Sequence, residues 1–149
     1  MLNSSLIHPQ ILAALAAAGH GSTVLIADAN YAHSTGTRPG APIVHLNLSP
    51  GTVTVDQVLT AIVATAPVER ATVMAPDDGS ASPVQQRYAD LIGSAVPIDV
   101  AVRADFKAAC RGEDLALTVA TGDDRYYTNV LLTIGAVIPR NHVVAATTD

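Results

Sequence analysis

A set of short, unbroken apolar runs constrains this chain most: each is too brief for a helix of its own, and they alternate with segments of helical periodicity. Thr23-Val24-Leu25-Ile26-Ala27 is the clearest of them. It is continuous and rich in β-branched residues, so it reads as a strand buried on both faces. Residues 71–75, 98–102 and 115–120 read as further strands, and 42–48 alternates enough to be another. The run 129–134 is a second apolar stretch that can pair beside 115–120. Between them lie the helices. Residues 9–18 open on Pro9 at the first helical position, with Gly19 available as a left-handed stop. In 54–66 the apolar residues Val55, Val58, Leu59, Ile62 and Val63 share one helical face, and Pro67 marks its end. Residues 83–92 and 105–110 read as two more helices. The alternation predicts an α/β protein, or a mixed α+β one, with a central sheet packed by helices.

At 149 residues the length prior predicts one domain over 1–149, large enough to bury a core without staples. With 49% hydrophobic residues but only 3% aromatic and 14% charged, that core is built from Ala, Val, Leu and Ile. The low surface charge predicts burial between subunits, hence a homo-oligomer. No apolar stretch approaches the roughly 20 residues of a membrane helix, and the start of the chain lacks the pattern of a signal peptide. The expectation is a soluble, cytoplasmic protein with no membrane partner. The lone Cys110 fits a reducing compartment and reads as a small buried hydrophobe rather than a nucleophile. A formal net charge of −5 argues against a nucleic-acid surface, which needs clustered positive charge. Few aromatics also means few stacking platforms for single strands. A small neutral ligand fits better.

Two polar constellations carry the chemistry. In the first, Gly19-His20-Gly21 is followed by Asp28 at the end of the 23–27 strand. The small neighbours leave the His20 imidazole accessible; histidine, with an unperturbed pKa of about 6.5, is the side chain suited to proton transfer near neutrality, and a carboxylate at Asp28 would fix its tautomer. Asp28-Ala29-Asn30 leaves the sheet at its carboxyl end, where ligand sites of open α/β sheets gather. The plainer alternative is that His20 caps a helix and Asp28 starts a turn. The second constellation is Thr121-Gly122-Asp123-Asp124-Arg125-Tyr126-Tyr127-Thr128-Asn129, a loop between two strands whose hydroxyls and amide suit a polyhydroxylated ligand. There is no GxxxxGK[ST], no GxGxxG after a strand and no GxSxG, so the familiar nucleotide and hydrolase routes are unsupported. His20, Asp28, His33 and His45 lie in the first third of the chain, but without the tight spacings of a zinc site. The reading is therefore no metal. His33 and His45 are expected as loop and sheet-edge residues.

The order of these motifs, with Gly19-His20-Gly21, then a strand ending in Asp28-Ala29-Asn30, then Thr121-Gly122-Asp123 and Tyr127-Thr128-Asn129-Val130-Leu131-Leu132, followed by Gly135-Ala136-Val137, resembles the D-ribose pyranase and L-fucose mutarotase family. The likeness spans nearly the whole chain. It implies a sheet-and-helix protomer that assembles into rings or smaller oligomers, a monosaccharide bound near a subunit boundary, and no cofactor. Carried over by position, His20 is the catalytic acid/base, Asp28 its orienting carboxylate and a sugar ligand, and Tyr127 and Asn129 the sugar-binding pair. Tyr126 is the alternative to Tyr127, although spacing to Asn129 favours Tyr127. Arg103 stands where the fucose branch has an arginine and the ribose branch tends to have a histidine, which favours the fucose branch. Its plain alternative is a solvated arginine at a helix start. The segment 28–34 is one residue shorter than the fucose-type pattern and lacks its proline, while 111–114 is longer. Residues 139–149 run past the matching core and are expected as a flexible tail; His142 lies in it.

The resemblance implies an isomerase that interconverts anomers of a free monosaccharide, L-fucose by the Arg103 criterion. A proton reaches the ring oxygen as another leaves the anomeric hydroxyl; the open aldehyde turns and recloses. His20 with Asp28 would move one proton, and the Tyr127 hydroxyl or a bound water the other. Alternatives are a D-ribose pyranase, a non-catalytic sugar-binding or transport-accessory module, and a metal-dependent sugar enzyme built on the three histidines and Asp28.

Overall fold

The computed structural model describes residues 1–138; the expected tail over 139–149, with His142, lies outside the described residues. The helices are α1 (Pro9–Ala17), α2 (Val55–Val63), α3 (Gln85–Ile92) and α4 (Arg103–Cys110). The strands are β1 (Thr23–Ala27), β2 (Ile43–His45), β3 (Val68–Met74), β4 (Ile98–Ala101), β5 (Leu115–Ala120) and β6 (Val130–Ile134). All run in one sheet of order β2-β5-β1-β6-β3-β4. The mixed α/β architecture expected from the alternation is the one found.

The sheet is parallel except at β6, which runs antiparallel to both β1 and β3. This corrects the sequence reading: β6 does not lie beside β5 but two places away, with β1 between them. Both β5 and β6 are continuous apolar runs, and burial on two faces carries no information about which buried neighbour a strand takes. Central β1 is buried along Val24–Ala27. Its Val24 and Ile26 pack into the larger core with Ile11, Leu59, Ile62, Val73 and Tyr88, whereas Leu25 and Ala27 enter the smaller core with Tyr31, Phe106, Cys110 and Leu131. Cys110 is buried there and its thiol is pushed up to about 11 by desolvation, which leaves it no nucleophile near neutrality.

Local signals explain most element ends. Thr54 and Gln57 form a reciprocal capping box at the start of α2. Pro9 does stand in the first turn of α1, but Gly19 is not the left-handed residue after it. The helix closes through an extended Ala18, and the positive φ falls at Gly21, at 84°. There the chain turns into β1, with the Gly21 amide donating to Ile134 O at 2.9 Å. Strand β2 is shorter than the alternation over 42–48 suggests, and α4 begins two residues earlier than expected.

One ion pair, buried at its carboxylate and exposed at its guanidinium, ties the loop after β5 to α2. Asp123 is 1% exposed. Its Oδ2 accepts from the Val55 amide at 3.0 Å and from Arg125 Nη2 at 2.6 Å, while Oδ1 accepts from Arg125 Nε at 2.9 Å. Burial opposes the Asp123 charge, but these bonds outweigh it and hold its carboxyl below the usual range. Next to it, a Cβ on Gly122 would meet Thr52 O at 1.9 Å, so the contact between the two loops needs glycine. Asp123→Ala leaves the Val55 amide without its acceptor and Arg125 without its buried partner, and is expected to cost on the order of 2–3 kcal/mol in denaturant unfolding at neutral pH. Because the folded-state pKa is lowered, this contribution is complete above the unfolded value of about 3.9 and fades as pH falls through the folded one. The gap from wild type should narrow in acid.

Candidate sugar site at the carboxyl end of the sheet

Five strands share one direction, so the turns after β1, β3, β4 and β5 open on one end of the sheet, and antiparallel β6 starts there too. Asp28, Asp77, Arg103 and Asn129 therefore converge although they are far apart in sequence. Asp28, Arg103 and Asn129, together with Asn30, Tyr31, Lys107, Tyr126 and Tyr127, border a cleft of about 280 Å³, and Asp77 joins it through its contact with Arg103.

Its floor is a locked pair. The Asp28 amide donates to Asn129 Oδ1 at 2.8 Å, and Asn129 Nδ2 donates to Asp28 Oδ2 at 2.7 Å. Asp28 Oδ1 accepts from the Asn30 amide at 3.0 Å. Both side chains are nearly buried. Burial pushes the Asp28 carboxyl above its ordinary value, against the bonds from Asn30, Asn129 and the neighbouring backbone, which favour the charge. A carboxylate so placed takes up a proton more readily than a solvated aspartate.

The wall is a second pair. Arg103 opens α4, donates from Nη2 to the Tyr127 hydroxyl at 3.1 Å and from Nε to Asp77 Oδ1 at 3.0 Å, and its guanidinium carbon lies 5.7 Å from the Tyr127 ring centre. The Tyr127 and Asp77 contacts hold the Arg103 pKa above its usual value. Tyr127 has φ of 60°, a left-handed conformation at a non-glycine residue. The following turn is pinned from below, where the buried Tyr88 hydroxyl donates to Thr128 O at 2.7 Å. From the other side the Thr121 hydroxyl donates to Ala27 O at 2.8 Å. The cleft thus offers a carboxylate, an amide, a phenol and two cations within one concavity.

Asp28, Arg103, Tyr127 and Asn129 come together as expected. Between the two tyrosines, Tyr127 carries the hydrogen bond to Arg103, and Tyr126 is exposed at the rim. His20 does not join them within the protomer. It precedes β1 while Asp28 follows it, and the strand between is about 17 Å long at roughly 3.4 Å per residue. The carboxylate beside His20 is Glu69, whose Oε2 accepts from His20 Nε2 at 2.8 Å. Eight residues of separation read as proximity only if the chain turns back, and a buried strand does not. His20 instead borders an apolar groove of about 580 Å³ with Leu12, Leu15, Pro67, Ile134 and Val137.

Asp77, Lys107 and Glu69 were missed by sequence reasoning, whereas Asn30 was read as part of the loop that lines the site. Asp77 lies in the turn-rich segment after β3, and its position at the carboxyl end of a predicted parallel strand was the one usable signal. His33 lies in the loop after β1, where its Nε2 donates to Asp28 O at 2.9 Å, and burial keeps it less basic than usual. His45 lies on the edge strand β2, with its ring 6.3 Å from that of His33. Among the described residues no three His, Cys, Asp or Glu side chains are grouped to hold a metal ion. No helix among them is long and apolar enough to cross a membrane.

Residues 1–137 match the model of the RbsD / FucU transport protein family. The chain belongs to this family. A D-ribose pyranase of Paracidovorax citrulli is 32% identical over 139 residues, covering 91% of this chain and 98% of its own. The structure of Bacillus subtilis RbsD complexed with D-ribose superposes with a TM-score of 0.78 at 22% identity, over 93% of this chain and 100% of that one. A fucose mutarotase of Streptococcus pneumoniae in complex with L-fucose gives 0.77 at 23% identity and the same coverages. FucU from Bifidobacterium longum is 28% identical with a TM-score of 0.74, over 89% of this chain and 96% of its own. The RbsD/FucU family includes pyranases and mutarotases, isomerases that act on sugar anomers.

Proposed function

We propose that this RbsD/FucU member is a cofactor-independent mutarotase that interconverts the anomers of a free monosaccharide in the Asp28 cleft. The observation that carries the reading is the convergence of the Asp28–Asn129 pair with the Arg103–Tyr127 pair in one concavity. Asn129 and Arg103 supply donors for sugar hydroxyls. Asp28 accepts a proton or a hydroxyl hydrogen bond, and the Tyr127 phenol, beside a guanidinium, passes a proton in either direction. Ring opening needs one proton delivered to the ring oxygen and one removed from the anomeric hydroxyl. Rotation about the first carbon–carbon bond and reversal of both transfers close the other anomer, so acid and base suffice.

His20 belongs to this chemistry through a second copy of the chain. Glu69 accepts from its Nε2 and leaves Nδ1 and an exposed ring edge to offer outward. An assembly that sets the amino end of one sheet on the carboxyl end of the next brings His20 to the Asp28 cleft. Such a contact is heterologous and closes into a ring when the rotation allows it. The catalytic set is then Asp28 and Tyr127 of one protomer with His20 of its neighbour. The buried free thiol of Cys110 is in keeping with a reducing compartment, the cytoplasm.

Arg103 in the cleft favours L-fucose. The D-ribose pyranase relative favours D-ribose as the second reading. The family's description as transport proteins favours a third, a binding module without turnover. Saturation-transfer NMR of metal-free protein with L-fucose, D-ribose, D-galactose and D-glucose separates them. Exchange between anomer signals is expected for L-fucose; exchange for D-ribose alone establishes the pyranase, and shift changes without exchange establish the binding module. The pH profile is a further check. Since burial raises Asp28, kcat/KM should fall on the acid side through a value above 3.8, the ordinary value for that carboxyl.

A further inference from the structure

Strand β3 carries one extra residue where it meets β6. Val68 pairs with Ile134 and Arg70 with Thr133, which leaves Glu69 without a partner strand residue and makes it the inserted residue of a β-bulge. The insertion breaks the alternation of the strand, so Glu69 and Arg70 are exposed in succession. The two charges then part. Arg70 pairs with Asp99 on β4, whereas Glu69 meets His20 across β6, the strand that lies between β1 and β3. Glu69 Oε2 and His20 Nε2 are 2.8 Å apart although 49 positions separate them in sequence.

The end of β6 holds both partners in place. The Gly21 amide, next to His20, donates to Ile134 O at 2.9 Å, and the Gly135 amide donates to Pro67 O at 2.9 Å, just before the bulge. A Cβ at Gly135 would crowd the Glu69 Cβ at 3.3 Å, so the glycine leaves this residue its room. The contact also fixes the state of the imidazole. A carboxylate only accepts, so the neutral His20 ring carries its hydrogen on Nε2 and presents a lone pair at Nδ1. When Nδ1 takes up a proton, the imidazolium forms beside a negative charge already in position. Asp28, at the far end of β1, can do neither within the protomer.

We infer that Glu69 is the positioning residue of His20: it selects the tautomer with a free Nδ1 and stabilises the imidazolium while the proton is held, without touching the sugar. The inference rests on the mutarotase reading, in which His20 serves the cleft of a neighbouring copy, and gives Glu69 the orienting part that the motif pattern implied for Asp28. In ring opening, Nδ1 takes the proton of the anomeric hydroxyl and the electron pair of that O–H bond closes the carbonyl. The bond from the anomeric carbon to the ring oxygen breaks, and the ring oxygen takes a proton from the Tyr127 phenol. Reclosure on the other face returns both protons. Glu69 keeps its charge throughout and no co-reactant is consumed.

The test is the kinetics of anomer exchange, by saturation-transfer NMR on the sugar that wild type turns over, for Glu69→Gln, His20→Ala and the double variant. Glu69→Gln is expected to lower kcat by about 10–100-fold, as when the carboxylate behind a metal-bound imidazole is lost. Its KM should stay within about twofold of wild type, because the side chain does not reach the sugar. Its thermal midpoint should match wild type, the pair being an exposed one. The double variant should be no slower than His20→Ala alone, since a residue that acts only through His20 then has nothing to act on. Wild-type kcat in Glu69→Gln beside an impaired His20→Ala overturns the inference and leaves the mutarotase reading standing. So does a further loss in the double variant, which marks an effect not carried by His20. Normal exchange in His20→Ala overturns the inference together with the role of the second copy. Absence of catalysed exchange by wild type for every sugar overturns both the inference and the mutarotase reading.

Discussion

Asp28→Asn is expected to lower kcat/KM for anomer exchange by about 10²–10⁴-fold, the range for loss of a positioned acid or base. At about 1.4 kcal/mol per tenfold, that is roughly 3–5 kcal/mol of transition-state stabilisation. The substitution keeps the size of the side chain and removes the charge on which one proton transfer depends. It also disturbs the floor of the cleft. Asp28 is an acceptor at both oxygens, toward the Asn30 amide and toward Asn129 Nδ2. An amide in its place must turn its own NH₂ toward one of those donors. One buried donor then goes unpaired, at about 1–3 kcal/mol, so thermal unfolding should shift downward while the fold persists. The two readouts are separable. Activity lost well beyond what the shifted stability accounts for assigns Asp28 to the chemistry, and activity close to wild type in a destabilised protein assigns it to packing alone.

His20→Ala is expected to reduce exchange by a similar factor with almost no change in stability. The His20 side chain is 61% exposed, and its contact with half-exposed Glu69 is a surface pair of the kind that contributes between zero and about 1 kcal/mol. A residue so free of structural duty is a clean probe. The two variants, at opposite ends of β1, should therefore share a kinetic defect and differ in unfolding. Normal exchange in a folded His20→Ala protein would remove the second copy from the mechanism and leave Asp28 and Tyr127 to move both protons.

Much of the frame was legible because apolar periodicity reports burial directly. Val55, Val58, Leu59 and Ile62 read as one helical face, and all four lie buried in α2. The unbroken run at Thr23–Ala27 read as a two-sided strand, and β1 is central. Direction and neighbour were not legible. The antiparallel insertion of β6 between β1 and β3 depends on tertiary pairing, to which a uniformly apolar strand gives no clue. Of the site, Asp28, Arg103, Tyr127 and Asn129 were readable through their motifs. Lys107 and Asp77 were not, because a charged residue on a helix or in a turn looks the same in sequence whether it faces solvent, lines a cleft as Lys107 does or braces a cleft residue as Asp77 braces Arg103. Within one protomer His20 and Asp28 stay apart for a geometric reason: eight residues that include a buried strand separate two groups, and Glu69 becomes the neighbour of His20 only because β3 starts where β1 starts.

The most direct test of this account is subunit complementation. His20→Ala and Asp28→Asn proteins, each nearly inactive alone, are unfolded together, refolded as an equal mixture and assayed for anomer exchange. If each site draws Asp28 from one protomer and His20 from its neighbour, a random mixture has half its sites with Asp28 and half of those with His20, so about one quarter of wild-type activity should return. No recovery from a mixture shown by mass spectrometry to contain both subunits in one assembly would contradict a site shared between copies of the chain.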